Sequence, residues 1–535
     1  MRLQKSLLSS VYSKHSPSAL IKTRATSDKS TEGVPVLFAF SPIRCIVIQM
    51  SFLPSDPAGL TECLQRAHAA QLLWSNLPLS SRLRPLERLR ARLAAEPDVL
   101  GDVVGKEIGK SRYEAIAAEV LPVAESCAFL IDRAPRLLAP RREVLRGTMP
   151  FSGTGLVRHV PWGIVAVLVP WNYPLFLCAV PVLNALTTGN AAVMKASPRA
   201  KKTVAAFAEW LWAAGYPKDL VVLLDSTDDA GRAITASPLV NRIVFTGGSQ
   251  TGRAVLTAAA RNMVPATVEL SGCDAVYVLK DANIKLAAEG VSFGMRLNAG
   301  RTCVCPRRVF VEQPVAAAFL EKFTHSITNK KLLDPMDPQT LKEADELAAK
   351  LTSAPNTRSL NGRLQGDREK ALAFAGGTEA LAITQGNFVP AVVVTTVKDV
   401  DEAVRLDLAS PYGLGASIYT NDSNLALSVT KRMRAGIIAV NDCVVQAAEA
   451  ALPFGGAGES GYGVRGGDEG LMEMTRPQSL AFLSGSYRPH HDAGEEAEQM
   501  VLALLRARHS GSIFTRIKGW MDYAIEGVKF NTRGK

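Results

Sequence analysis

Two cysteines one residue apart, Cys303 and Cys305 in "NAGRTCVC" (298–305), stand out in a chain that has eight. Such a pair suits half of a metal site, a redox couple, or a nucleophile and its neighbour. Zinc wants four ligands, commonly from CxxC pairs or from histidines spaced on a helix. No second cysteine pair or spaced histidines lie near this one, and the only adjacent histidines are His490 and His491, so no metal is expected. A free thiol is often buried and inert, so the nucleophile reading needs partners.

Two candidates exist. Glu269 closes the apolar run "ATVEL", and Asn172 lies in "VPWNYP" just after another. Open α/β sheets carry reactive groups at these strand ends. A thiolate, a carboxylate base and an amide donor to an oxyanion make a covalent catalytic set if they converge. Spacing alone does not establish convergence. A phosphate seat is offered by "FTGGSQTG" (245–252), which follows a strand-like run and opens a helix-like one. Backbone N–H groups at a helix N-terminus bind anions. Lys195, leaving "AAVMK", can reach a ribose hydroxyl or simply be solvated.

The elements that would position these residues are legible from Gly163 onward. "IVAVLVP", "AAVMKAS", "LVVLLD", "RIVFTGG" and "PATVELSG" read as strands, and "PLFLCAVPVLNALTTG", "PRAKKTVAAFAEWLWAAG" and "SQTGRAVLTAAARNM" as helices. Near-continuous apolar strands alternating with helices predict a parallel sheet covered on both faces. Upstream, "LTECLQRAHAAQLLWSNL" reads as a helix with Thr61 as N-cap. Two further helical stretches follow it, and a hairpin is expected about 143–162. A second α/β segment runs from Cys273 to about Asn441, before a Gly-rich return. The tail carries an amphipathic helix, "MVLALLRARHSGSIFTRIKGWMDYAI".

At 535 residues the chain is expected to form more than one domain. Its formal charge of +11 is concentrated at the start, where residues 1–50 hold seven Lys/Arg against two acids. No basic stripe with interleaved aromatics follows, so nucleic-acid binding is not expected. Scattered single cysteines suit a reducing, cytoplasmic setting. No apolar run is long enough for a transmembrane segment. The basic, Ser-rich start reads as a leader or extension; an organellar transit peptide is the alternative.

In order along roughly residues 60–480, "GKEIGKS", "VPWNYP", "MKAS", "FTGGSQTG", "VELSG", "NAGRTCVC", "SPYGLGASIYT" and "LPFGGAGESGYG" resemble the motifs of the aldehyde dehydrogenase superfamily. The resemblance implies an α/β fold with a Rossmann-like coenzyme domain (56–142 and 163–272) and an α/β catalytic domain (273–441). A small β oligomerisation element (143–162 and 476–484), a Gly-rich return segment (442–475), a leader (1–55) and a C-terminal helical extension (485–535) complete it. It implies NAD or NADP as cofactor, an aldehyde substrate, and a homodimer or homotetramer. By motif, Cys303 is the nucleophile, Asn172 and the Cys303 backbone N–H hold the thiohemiacetal oxyanion, and Glu269 activates the water that hydrolyses the thioester. Lys195 would bind the adenine ribose, and Trp171 would line the coenzyme site. Gly248 and Gly252 would lie by the pyrophosphate and its helix, and Phe454 near the nicotinamide.

Within that resemblance "TCVC" is most like succinate-semialdehyde dehydrogenases, where the second cysteine can form a reversible disulfide with the first. The Arg that binds substrate in that group falls at Val180. Other departures are Arg301 for Gln or Glu, Pro198 for a ribose-binding Glu, Pro181 for a helix Lys and Arg465 for a Glu. The "EIFGP" block with its Glu, expected between "GNFVPAVVV" and "TTVKDVDEAVRL", is missing. With Pro198 in place of an acid, Arg199 is a candidate partner for a 2′-phosphate. An active dehydrogenase is the leading expectation, and a catalytically weak binding or structural subunit the alternative.

Overall fold

Strand Ile164–Val169 is buried along its whole length, as its unbroken apolar sequence requires. It sits inside a six-stranded sheet ordered Gly461–Tyr462, Ala266–Glu269, Arg242–Thr246, Ile164–Val169, Ala191–Ala196, Val221–Leu223. All neighbours run parallel except Gly461–Tyr462, which pairs antiparallel with Ala266–Glu269. This computed structural model describes residues 57–145, 153–483, 491 and 494–533. The expected leader, 1–55, lies outside the described residues.

Helix Pro174–Thr188 is buried at every position. One end of it is gripped by the first of the described helices: Trp74 Nε1 donates to Leu186 O at 2.8 Å and Gln71 Nε2 to Gly189 O at 2.8 Å. That first helix spans Pro57–Ser75, so Thr61 lies inside it rather than capping it. Proline is well tolerated in a first turn, which lets the helix begin at Pro57 ahead of the Thr.

A second sheet of seven strands is ordered Arg358–Ser359, Leu372–Ala375, Ala391–Val397, Pro306–Glu312, Asp274–Val278, Gly415–Tyr419, Ile437–Val440. It is parallel apart from its first, two-residue strand. Two buried arginines on the central strand find partners inside: Arg307 Nη1 donates to Val389 O at 2.6 Å, and Arg308 Nη2 to Asp407 Oδ1 at 2.7 Å. A third, antiparallel sheet joins Arg141–Val144, Gly153–Pro161 and Thr475–Leu483. Residues 146–152, between its first two strands, lie outside the described residues.

The C-terminal stretch forms two helices, Glu495–His509 and Ile513–Arg533, and not the single helix its apolar spacing suggests. The break falls at Ser510–Gly511–Ser512, residues that favour turns over helix. The second helix folds back on the first at Gly519, where an added Cβ would lie 2.4 Å from Ala507 N. It turns Ile513, Phe514, Ile517, Met521, Ile525 and Val528 outward. Among the described residues no helix is long and apolar enough to cross a membrane.

Candidate active site

Helix Ile284–Arg296 delivers the chain to a left-handed turn. Asn298, Ala299 and Gly300 have φ of +48°, +49° and +70° in succession. Two non-glycine residues in this region cost of order 1–3 kcal/mol each, and such strain persists only where surroundings over-determine it. Here they do. Asn298 N–H donates to Glu114 Oε1 at 2.5 Å and Asn298 Nδ2 to Asn172 O at 2.9 Å. Arg301 Nη2 donates to Asn298 Oδ1 at 3.1 Å, while Arg301 Nη1 is anchored on Asp337 Oδ2 at 2.8 Å. Cys303 is presented immediately after this turn, and the O of Cys303 lies so close to Gly272 that a Cβ there would be 2.4 Å away.

Asn172 is positioned from the other side. It precedes the N-terminus of helix Pro174–Thr188, where Glu119 Oε2 accepts from Leu175 N at 3.0 Å and Phe176 N at 2.9 Å. A carboxylate is favoured at that end of a helix by the orphan N–H groups and the dipole. Lys110 Nζ neutralises it at 2.6 Å, both side chains being fully buried, and lies 3.6 Å from the Tyr173 ring centroid. Glu119 reaches inward because residues Ile116–Val120 form a π-helical turn, a widening frequent at functional sites. Asn172 Nδ2 donates to Arg301 O at 3.1 Å, tying the amide to the turn before Cys303. Tyr173 Oη and Thr302 Oγ1 close the same seam at 2.6 Å.

Cys303 opens into a chamber of about 240 Å³ whose walls include Phe176, Leu177, Phe293, Leu297, Val444 and Phe454. Its polar groups include Glu114 and Arg465. Arg465 Nε donates to both oxygens of Glu269, at 3.1 and 3.0 Å. Burial pushes the Cys303 thiol up to about 12, with Arg465 opposing and Asp274 and Glu269 reinforcing the rise. Burial likewise raises Glu269, against the pull of Arg465. Glu114 is raised to about 9 by burial and by its neighbour Asp334, so it carries its proton at neutral pH. The protonated Glu114 carboxyl is thus a donor available to Asp334, its hydrogen-bond neighbour.

The coenzyme candidates lie at the C-terminal edge of the six-stranded sheet. Gly248 caps helix Ser249–Arg261, which has no acid in its first turn, and a Cβ at Gly248 would meet nothing within 4 Å. That open helix end fits a pyrophosphate. Gly252 faces inward, where a Cβ would be 2.5 Å from Leu270 Cδ2. Lys195 is half-buried near the end of its strand; burial lowers its pKa while Asp228 and Asp225 oppose this. These residues fit a dinucleotide. Trp171 meets Phe388 edge-on with centroids 6.1 Å apart, and Arg199 stacks on it at 3.5 Å. Arg199 also pairs with Asp337 at 3.4 Å, so it is engaged near Trp171. Cys303 and Phe454 thus line the chamber, Glu269 is joined to its wall through Arg465, Asn172 is tied to the turn before Cys303, and Lys195, Gly248 and Gly252 lie along the sheet edge. Sequence reasoning missed Glu114, Glu119 and Lys110. Their signal was available as charges set in the apolar helical run "GKSRYEAIAAEV". Among the described residues no cluster of His, Cys, Asp or Glu is arranged to hold a metal.

A family model described as the aldehyde dehydrogenase family matches residues 49–480. The 4,4′-diapolycopene aldehyde oxidase of Methylomonas sp is 32% identical over 454 residues, covering 80% of this chain and 82% of that protein. The NADP-dependent glyceraldehyde-3-phosphate dehydrogenase of Bacillus halodurans C-125, solved with NADP, matches with TM-score 0.75 and 27% identity, covering 80% of this chain and 92% of that one. PnpE from Pseudomonas sp. WBC-3 matches with TM-score 0.74 and 25% identity, covering 81% and 92%.

Gly300 offers a direct check on the turn, because a Cβ there would lie 2.3 Å from Pro390 Cα at φ +70°. Gly300→Ala should destabilise the protein by roughly 2–5 kcal/mol in urea denaturation, combining strain and overpacking. Its turnover should fall more than about tenfold as Cys303 is misplaced.

Proposed function

The chain belongs to the aldehyde dehydrogenase family and oxidises aldehydes to carboxylates with NAD or NADP, and we propose that its substrates are apolar aldehydes processed by Cys303, Asn172 and Glu269. The apolar wall around Cys303 carries this reading. A dry cavity of about 150 Å³ suffices to bind benzene, and this chamber, at about 240 Å³, is larger. A dicarboxylic semialdehyde would need a cation for its far carboxylate, and the position expected to supply it is Val180. The cationic side chain of the wall, Arg465, is engaged by Glu269. The Methylomonas relative, named for an aldehyde of a polyene, is consistent with this substrate class.

In this mechanism Cys303 Sγ attacks the carbonyl carbon. Asn172 Nδ2 spends one N–H on Arg301 O and has a second for the oxyanion. Lys195 and the helix end at Gly248 would hold the coenzyme, which would supply the hydride acceptor. The thioester left on Cys303 is hydrolysed by water whose proton passes to Glu269. The outer strand Thr475–Leu483 of the small sheet is the surface we assign to homodimer or homotetramer assembly. The described cysteines are all free thiols, which suits a reducing cytoplasm.

Substrate class is tested by comparing straight-chain alkanals with succinate semialdehyde. Each methylene buried adds about 0.8 kcal/mol, so kcat/KM should climb about fourfold per carbon until the chamber is filled. Faster turnover of succinate semialdehyde than of every alkanal would overturn the apolar assignment.

Glu269→Gln keeps the side chain's size but removes the base. Rapid mixing with excess coenzyme and aldehyde should give one burst of reduced coenzyme per site, then slow turnover with acyl-enzyme on Cys303. A wild-type steady state without trapped thioester would remove Glu269 from the mechanism.

The acids facing Lys195, Asp225 and Asp228, suit ribose hydroxyls and repel a 2′-phosphate. We therefore expect NAD to bind tighter than NADP by calorimetry, with Asp228→Asn narrowing the gap. Tighter NADP binding would instead favour a phosphate contact such as that considered for Arg199.

A further inference from the structure

Arg465 is held more firmly than its place on a Gly-rich return would require. Its backbone exchanges two N–H···O bonds of 2.7 Å with Phe454. Its guanidinium lies between the rings of Phe176 and Phe454, with Cζ 4.8 and 4.6 Å from their centroids. Cation–π contacts of this kind stabilise a desolvated cation without neutralising it. Nε is shared by the two oxygens of Glu269, and the side chains are only 5% and 3% exposed. Among the described residues its Nη groups have no hydrogen-bond partner, and the guanidinium lines the chamber that contains Cys303.

One buried cation therefore stands beside two groups that must each carry negative charge during turnover, the Cys303 thiolate and the Glu269 carboxylate. Without it, two like charges would face each other in an apolar enclosure, where one would take up a proton. We propose that Arg465 is a positioning residue that serves Cys303 and Glu269 as a single shared counter-charge, so that nucleophile and base are coupled through it. This rests on the roles given to Cys303 and Glu269 above. Asp274, Tyr173 through its buried ring and hydroxyl, and Glu114 and Tyr113 across the chamber also face Cys303, and a change at Arg465 leaves these four residues in place.

The sign follows from the chemistry. Both groups are acids, so loss of the cation disfavours both anions and moves both titrations to higher pH. The experiment uses the full chain, with Arg465→Gln and Arg465→Lys. Coenzyme-free protein is alkylated by iodoacetamide across pH, the modified residue is identified by mass spectrometry, and kcat for an alkanal is followed over the same range. Arg465→Gln should move the alkylation profile and the acid limb of kcat upward together. Moving the thiol's midpoint up by about one pH unit lowers the thiolate fraction at neutral pH about tenfold. Arg465→Lys should restore most of both.

A folded Arg465→Gln variant with an unmoved alkylation profile would overturn the proposal, whether kcat fell, held or rose. If that variant does not fold, Glu269→Gln tests the same coupling from the other side. Leaving Arg465 to Cys303 alone should move its alkylation to lower pH, and a profile that stays in place would overturn the proposal equally. Alkylation of wild type mapping to a cysteine other than Cys303 would overturn the underlying assignment of the nucleophile, a result distinct from an unchanged profile at Cys303.

Discussion

The left-handed turn at Asn298–Gly300 is the constraint on which the rest of the site depends. It reverses the chain between helix Ile284–Arg296 and strand Pro306–Glu312, so that Cys303 faces the chamber. Its strain is offset from several directions, since Glu114, Asn172 and Arg301 all bind Asn298. The bond from Arg301 involves a charged group and contributes about 1.5–3 kcal/mol, and the two neutral bonds add about 0.5–1.5 kcal/mol each, together comparable to the backbone cost. The same bonds join three parts of the chain that are remote in sequence. The turn next to the thiol is therefore both strained and cross-braced.

Charge inside an apolar interior is the second theme. Lys110 with Glu119, Arg301 with Asp337, and Arg465 with Glu269 are three ion pairs within the walls of one site. Each has a positioning consequence beyond its own energy, which for buried pairs is often small. Glu119 seats the helix behind Asn172. Although burial raises it, Asp337 is held down at about 2 by hydrogen bonds from Thr340 and Arg301, so it remains an anion that anchors Arg301. The residue that replaces the expected Gln or Glu before Cys303 is thus absorbed by a new partner.

Much of the scaffold was legible. Unbroken runs such as "IVAVLVP" have no amphipathic face to choose between, and a fully buried parallel strand is the environment that tolerates them. Cys303, Glu269 and Asn172 were legible as candidates, set at strand ends and before a β-run and carried by family motifs. Boundaries set by competing local signals were not: Thr61 was outweighed by Pro57, and the amphipathic spacing of the tail concealed the break at Gly511. Least legible were the pairings. Nothing near Arg465 in the sequence points to a partner 196 residues away, because that contact exists only once Gly461–Tyr462 lies antiparallel beside Ala266–Glu269.

That long-range pairing bears on descent. Removing one member of a buried ion pair costs about 3–5 kcal/mol, because the survivor is left charged and unsolvated. Against a total stability of about 5–15 kcal/mol, such an intermediate is close to the threshold at which a chain stops being maintained. Arg465 and Glu269 are therefore bound together in inheritance as well as in space. A lineage carrying the arginine can abandon it only by compensating at the carboxylate, or after accumulating enough stability elsewhere to survive the step between.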